Sequence, residues 1–227
     1  MLIQSGASIH EVVGNKTIST LNLHRDDYDP QAFPSFIRLL LLEGYHDFSL
    51  VDTLGFSAVS NSIRSRGCAI EAIDLLASGG VDFTKVFPDG RTVLHIAAEM
   101  SINKEVLEHL YTKYNVTDVN KQDRWGLSPL HYAIFSSSNR LTTSTCRKAR
   151  FLLEKGADPT IRGHVKSLSP QLHSHDLVTT CEYSAALGPK VYEKFLKDLR
   201  VTGNLGMAME EGDDEDEQFH DAQEHLI

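Results

Sequence analysis

Apolar residues in this chain arrive in short packets, and the packets repeat. Pairs of large aliphatic residues followed by glycine occur as Leu40-Leu41-x-x-Gly44, Leu75-Leu76-x-x-Gly79 and Leu152-Leu153-x-x-Gly156, with Leu2-Ile3-x-x-Gly6 at the start. A second phrase, glycine with Ser or Thr two residues on, opens another packet. It reads Gly55-Phe-Ser57-Ala-Val59, then Gly90-Arg-Thr92-Val-Leu94, then Gly126-Leu-Ser128-Pro129-Leu130. Its glycines are 35 and 36 residues apart. A fixed period of that length points to stacked supersecondary units.

Inside each packet the spacing is helical. Val106, Leu107 and Leu110 share one helix face, as do Val191, Phe195 and Leu199. A Ser or Thr heading such a run is an N-cap, its hydroxyl accepting from an otherwise unpaired amide of the first turn. Pro129 suits the first helical position, where a missing N–H costs nothing. Leu94 and Leu130 are expected in the core, and Ala97, Ala98 and Ala133 let neighbouring helices approach closely. Gly44, Gly79 and Gly156 predict left-handed caps after the second helix, with Tyr114 or Asn115 standing in after Leu110. Each unit is then two short antiparallel helices and a turn, and stacking is what buries its apolar face.

These phrases resemble the ankyrin repeat. The family's Thr-Pro-Leu-His followed by x-Ala-Ala is matched by Thr92-Val-Leu94-His95-Ile-Ala97-Ala98 and by Ser128-Pro129-Leu130-His131-Tyr-Ala133-Ile134. Its closing Leu-Leu-x-x-Gly-Ala-Asp-Pro is matched throughout by Leu152-Leu153-Glu-Lys-Gly156-Ala157-Asp158-Pro159. The resemblance implies an all-α ankyrin-repeat solenoid of helix-turn-helix units joined by β-hairpin-like turns. It is strong over 87–162 and weaker over 52–86, where Ala58 replaces Pro and Ser60 replaces His. Tyr192-Glu-Lys-Phe195-Leu196 after a degenerate last repeat is also similar to ankyrin proteins of filamentous fungi.

Read at this period, residues 1–13 are the truncated end of a repeat and 14–51 a degenerate repeat. Repeats follow at 52–86, 87–122 and 123–163, then a degenerate capping repeat at 164–203 and an acidic segment at 204–227. Gly126 to Gly156 spans 30 residues against 24 from Gly55 to Gly79. The surplus falls in the polar stretch 136–146, expected to be a loop. Ser169-Pro170 resembles the start of a last tetrapeptide, and Val191 to Leu199 reads as a capping helix.

Charge adds a location. The 227 residues carry a formal charge of −9, yet from Val201 onward there are nine acids and no Lys or Arg. Residues 1–200 balance at 22 acids and 22 bases. A neutral body gives no drive toward nucleic acid or a membrane surface. The acidic segment is expected to be disordered and to serve solubility. The longest apolar run, Leu39 to Leu42, is far short of a membrane span. No secretory signal pattern stands at the start, and Cys68, Cys146 and Cys181 are sparse and odd in number. A reducing compartment is expected, cytoplasmic or nuclear.

No phosphate-loop, dinucleotide, zinc-protease, nucleophile-elbow or Cys-x-x-Cys motif occurs. His95 and His131 recur at the structural period, and the resemblance implies hydrogen bonds to backbone in adjacent turns. His164, His173, His175 and Cys181 match no closed zinc spacing. Arg140, Arg147, Lys148, Arg150 and Lys155 form a basic concentration, expected to be a solvated helix face. No catalytic residue, cofactor, metal or small-molecule substrate is expected.

The resemblance places binding at turn tips and at exposed first-helix positions. These are Leu54, Phe56, Arg91, Arg124, Trp125 and Leu127 at the tips, and Arg64, Glu99, Met100 and Phe135 on the helices. Trp125, the one tryptophan, is the expected anchor. The function implied is a non-enzymatic scaffold or adaptor whose partner is another protein. The alternative is the C-terminal ankyrin fragment of a larger enzyme or signalling ATPase with its catalytic part upstream, motivated by a start inside a closing phrase.

Overall fold

The computed structural model describes residues 10–13, 16–19, 32–48, 57–64, 68–101, 104–139, 144–168 and 177–209. The chain divides into two compact units, Met1–Thr117 and Asp118–Ile227.

In the first unit, β1 (His10–Val13) and β2 (Lys16–Ser19) pair antiparallel, with His10 opposite Ser19 and Val13 opposite Lys16. The repeat period does not foresee this hairpin. The signal for it is Gly14-Asn15 between runs rich in β-branched residues, a dipeptide that closes two-residue hairpins. Among the described residues five helices follow: α1 (Ala32–Leu42), α2 (Ala58–Arg64), α3 (Ala69–Ser78), α4 (Val93–Met100) and α5 (Glu105–Lys113). Helices α2 and α3 pack as one pair and α4 and α5 as the next, while α1 meets α3, α2 meets α4 and α3 meets α5. Ile37, Leu40, Ile63, Ile73, Leu76, Leu94, Leu107 and Leu110 are sealed between them. Each such side chain contributes roughly 1.5–3 kcal/mol of burial. Helix α4 is buried on nearly all sides, because Ala97 and Ala98 are small enough to let its neighbours close in.

Among its described residues the second unit holds α6 (Pro129–Asn139), α7 (Ser144–Glu154), a 3-10 turn (Val165–Ser167), α8 (Thr180–Ala186), α9 (Pro189–Thr202) and a short α10 (Leu205–Met209). Pairs α6–α7 and α8–α9 stack through α6 on α8 and α7 on α9, and α10 rests on α9. Leu130, Leu152, Tyr183 and Leu199 are fully buried here. Apart from β1–β2, the regular structure among the described residues is helical, in stacked pairs. No described helix is long and apolar enough to cross a membrane.

Four expectations are corrected. Gly79 does not take the left-handed conformation; Gly80 does, at φ +88°, alongside Gly44 at +77° and Gly156 at +87°. Gly79 is small for another reason: a Cβ there would stand 2.8 Å from both Leu41 Cδ2 and Phe48 Cε2. The polar stretch 136–146 is largely helical, since α6 runs on to Asn139 and α7 begins at Ser144, with 140–143 outside the described residues. Packing overrides the low helix propensity of Ser and Asn there: the buried hydroxyl of Ser136 accepts from Lys148 Nζ at 3.0 Å. The final helix pair is capped at Thr179, which exchanges hydrogen bonds with Glu182. Ser169-Pro170 lies outside the described residues. Thr179-Thr-Cys-Glu182 is a capping box legible in the sequence. Finally, residues 205–209 of the acidic segment form α10, and 210–227 lie outside the described residues.

Candidate partner-binding site

Each repeat turn is built by the same bonds. In the turn after α3, Phe87 N–H donates to Arg91 O at 2.8 Å and Gly90 N–H to Phe87 O at 2.9 Å, with Gly90 at φ +83°. In the next, Asp123 N–H donates to Leu127 O and Gly126 N–H to Asp123 O, both at 3.0 Å, with Gly126 at φ +77°. The left-handed glycine is what turns the chain back on itself.

The first turn spends its charges internally. Arg91 Nε reaches Asp89 Oδ2 at 2.6 Å and Arg91 Nη1 reaches Glu99 Oε2 at 3.1 Å. The structure thus brings Arg91 and Glu99 together as a brace from turn tip to the last turn of α4. Their side chains are 20% and 23% exposed, so a partner would meet a neutralised pair. Met100 is half-buried beside them, Arg64 is exposed at the end of α2, and Phe135 is half-buried on α6. Leu54 and Phe56 lie outside the described residues.

The second turn presents a different surface. Asp123 is buried and its Oδ1 accepts from the amides of Trp125 at 2.8 Å and Leu127 at 2.9 Å. Its Oδ2 accepts from Tyr132 Oη at 2.7 Å, tying the turn to α6. On this platform the exposed Arg124 guanidinium stands 4.1 Å above the ring of half-buried Trp125. A cation over an indole face is attracted by the ring's quadrupole and holds it flat. Sequence reasoning passed over Asp123, although Asp followed three residues later by Gly is a turn signature.

Leu127 is a correction. It is fully buried, a core residue under the turn, and a side chain with no exposed surface cannot touch a partner. The basic concentration is also corrected, because its members do not share a face. Lys148 is fully buried, and Arg150 Nε and Nη2 both donate to Asp198 Oδ1, at 2.9 and 2.6 Å. Arg147 is exposed, Lys155 lies 5.6 Å from the Phe151 ring centre, and Arg140 lies outside the described residues.

The repeating histidines are occupied. Thr92 N–H donates to His95 Nδ1 at 2.9 Å, and Ser128 N–H to His131 Nδ1 at 3.2 Å. An amide can only donate, so Nδ1 is the acceptor and the ring proton sits on Nε2. His131 Nε2 accordingly faces the carbonyl of Val178 at 3.3 Å.

One polar cluster was not legible in the sequence. Between α3 and α5, Asp74 Oδ1 accepts from His109 Nε2 and Tyr114 Oη, both at 2.6 Å, and Oδ2 pairs with Lys113 Nζ at 2.8 Å. Burial pushes the Asp74 carboxyl up, but the bonds from Lys113, Tyr114 and His109 prevail and hold it down at about 2. Burial and the carboxylate beside it raise the Tyr114 phenol. Every oxygen is engaged, so the cluster fastens two helices. Of the four residues weighed as metal ligands, His164 is exposed and Cys181 buried, while His173 and His175 lie outside the described residues. Burial raises the Cys181 thiol, which a hydrogen bond with Tyr192 partly offsets and nearby Glu182 reinforces, so it is held as a neutral thiol.

Residues 58–163 match ankyrin repeats, in three copies. That stretch is an ankyrin-repeat array. Alpha-latrotoxin-Lg1a of Latrodectus geometricus is 39% identical over 64 residues, which is 28% of this chain and 4% of that protein's length.

Proposed function

We propose that this protein is a non-enzymatic scaffold or adaptor that binds another protein through turn tips and first-helix positions of its ankyrin array. Ankyrin repeats mediate protein–protein contacts as a class. The observation that carries the reading here is the Arg124–Trp125 stack, held at a turn tip by buried Asp123 while the framework residues Leu127 and His131 face inward. An arginine and a tryptophan pre-set on a rigid turn are the residue types that dominate protein interfaces. Commitment of the His95 and His131 Nδ1 atoms to backbone amides supports a scaffold rather than a catalytic role. The three cysteines, Cys68, Cys146 and Cys181, are sparse and odd in number, which fits a reducing compartment such as the cytoplasm.

The test is capture of partners by the Trp125→Ala/Arg124→Ala double variant beside the wild type. The expected result is loss of the captured proteins with the thermal midpoint nearly kept, because neither side chain is sealed in the core. Arg91 is left intact, since removing it would release Asp89 and Glu99. Recovery of the same proteins by the double variant would place binding elsewhere.

A further inference from the structure

Hydrogen bonds join the Trp125 turn to the next turn along the chain. His164 N–H donates to Trp125 O at 2.8 Å, and Gln122 Nε2 donates to Gly126 O at 3.0 Å and to Arg162 O at 3.4 Å. The turns abut so closely that a Cβ on Gly126 would stand 3.1 Å from Arg162 O. Charge within these segments is largely spent. Asp123 is buried, with its oxygens on the amides of Trp125 and Leu127 and on the Tyr132 hydroxyl. Arg162 Nη1 donates to Leu177 O at 3.2 Å, and its Nη2 lies 3.6 Å from Glu182 Oε1. Arg124 is different. It is exposed, and among the described residues its guanidinium has the Trp125 ring beside it and no hydrogen-bond acceptor or carboxylate. The indole N–H of Trp125 has no acceptor among the described residues either.

Stacking and hydrogen bonding draw on different parts of a guanidinium. The ring attracts its charge, while the five N–H groups lie in the guanidinium plane and stay open to acceptors. An exposed arginine ordinarily loses side-chain freedom when it grips a partner. Here the indole already holds it, on a turn that Asp123 fixes from below. Neither side chain carries an acceptor, so together they present a positive charge and hydrogen-bond donors alone. The corresponding tip of the first unit differs, because Arg91 there is already answered by Asp89 and Glu99.

We infer that this tip takes an acidic side chain, an Asp or Glu on the partner protein. Arg124 grips the carboxylate with two parallel N–H groups, and the Trp125 indole N–H adds a third donor. The inference rests on the reading that the tip is where the array meets a protein, and it adds what that protein must bring. A carboxylate fits because its two oxygens match the spacing of the guanidinium fork. A phosphate carries nearly two charges and is characteristically met by a cluster of arginines, whereas Arg162 on the adjoining turn is shared with Glu182. A neutral or basic segment would leave the Arg124 charge unanswered.

The test selects ligands for the full chain without presuming a partner. Random short peptides are displayed on phage and joined to the coat through their C-termini, so that only side-chain carboxylates are offered. Peptides are kept if they bind the wild type and Arg147→Gln, a change of an exposed cation on α7, but not Trp125→Ala/Arg124→Ala. The kept peptides are expected to share an Asp or Glu. Changing that acid to Asn or Gln should weaken binding about tenfold or more, and Arg124→Gln should cost as much. The two changes together should cost little more than either alone, since each removes the same pairing. Arg124→Lys, which keeps the charge and loses the fork, should fall between wild type and Arg124→Gln. The indole N–H resonance of Trp125, the one tryptophan, should shift with the acidic peptide and not with its amide analogue. Kept peptides without a shared acid, or with an acid replaceable by its amide at no loss, would overturn this inference and leave the tip as a binding site. Losses that simply add would overturn it too, because the acid would then meet another group. If every selected peptide still binds the double variant, binding lies elsewhere and both readings fall.

Discussion

His131 Nε2 lies 3.3 Å from the carbonyl oxygen of Val178, 47 residues further along the chain. Through its other nitrogen the same ring receives the amide of Ser128 at the head of its own helix. One imidazole thereby caps α6 and ties it to the turn that leads into the next helix pair.

Replacing His131 by Ala removes both bonds and empties a fully buried site. The expected loss is about 2–4 kcal/mol, from an unsatisfied amide and carbonyl together with a cavity. Urea unfolding followed by circular dichroism measures it, and a change below about 1 kcal/mol would remove His131 from this role.

Asp198 is almost wholly buried, and Arg150 answers its charge from α7. Arg150→Met leaves the carboxylate in place without that partner, at an expected cost of about 2–3 kcal/mol. This is below the usual penalty for a broken buried pair because the Arg150 side chain is 39% exposed and water screens it. Burial raises the Asp198 carboxyl, and Arg150, Lys194 and Lys197 pull it back. A raised carboxyl binds a proton more readily folded than unfolded. Its cost therefore grows as pH rises through the folded value, and acid should narrow the gap between variant and wild type.

Asp74 has the opposite sign. Held at about 2, its carboxylate contributes stability that is fully present above the unfolded value and lost as pH falls toward 2. Asp74→Asn should lower stability near neutrality and flatten the wild-type decline between roughly pH 4 and 2. Stability measured by denaturant titration across that range gives the comparison, and parallel curves for the two proteins would contradict it.

A glycine pair separates crowding from mere flexibility. A Cβ on Gly163 would stand 2.7 Å from Leu127 Cδ2 and 2.8 Å from Gly126 O, so adjoining turns would have to part. Gly163→Ala should cost about 1–3 kcal/mol through overpacking. At Gly206, inside α10, a Cβ meets nothing within 4 Å. Gly206→Ala should be neutral or stabilising by up to about 1 kcal/mol. Thermal midpoints of the two variants test the contrast.

Much of the repeat scaffold is legible in local order. Thr92, Ser128, Leu94, Leu130 and the turn glycines Gly90 and Gly126 occupy their roles because those roles are set by bonds within a few residues. Asn115 at φ +53° takes the cap that the missing glycine leaves open, as a short polar side chain can. The candidate site was half legible. Arg124 and Trp125 follow from their place beside the turn glycine, whereas Leu127, two residues on, is turned under the chain and buried.

What the one-dimensional order settles here is the period, the helix ends and the turns, since capping and hairpin bonds act over three to five residues. The tertiary structure decides which charges remain available. Arg91 is taken up by Glu99, Arg150 by Asp198 from 48 residues away, and Asp74 by His109 and Tyr114 from the following helix pair. Lys148, which reads as one more surface cation, is sealed between helices with its amine on Ser136. Such pairings depend on how stacked units bring distant side chains within 3 Å, and no period along the chain encodes that distance.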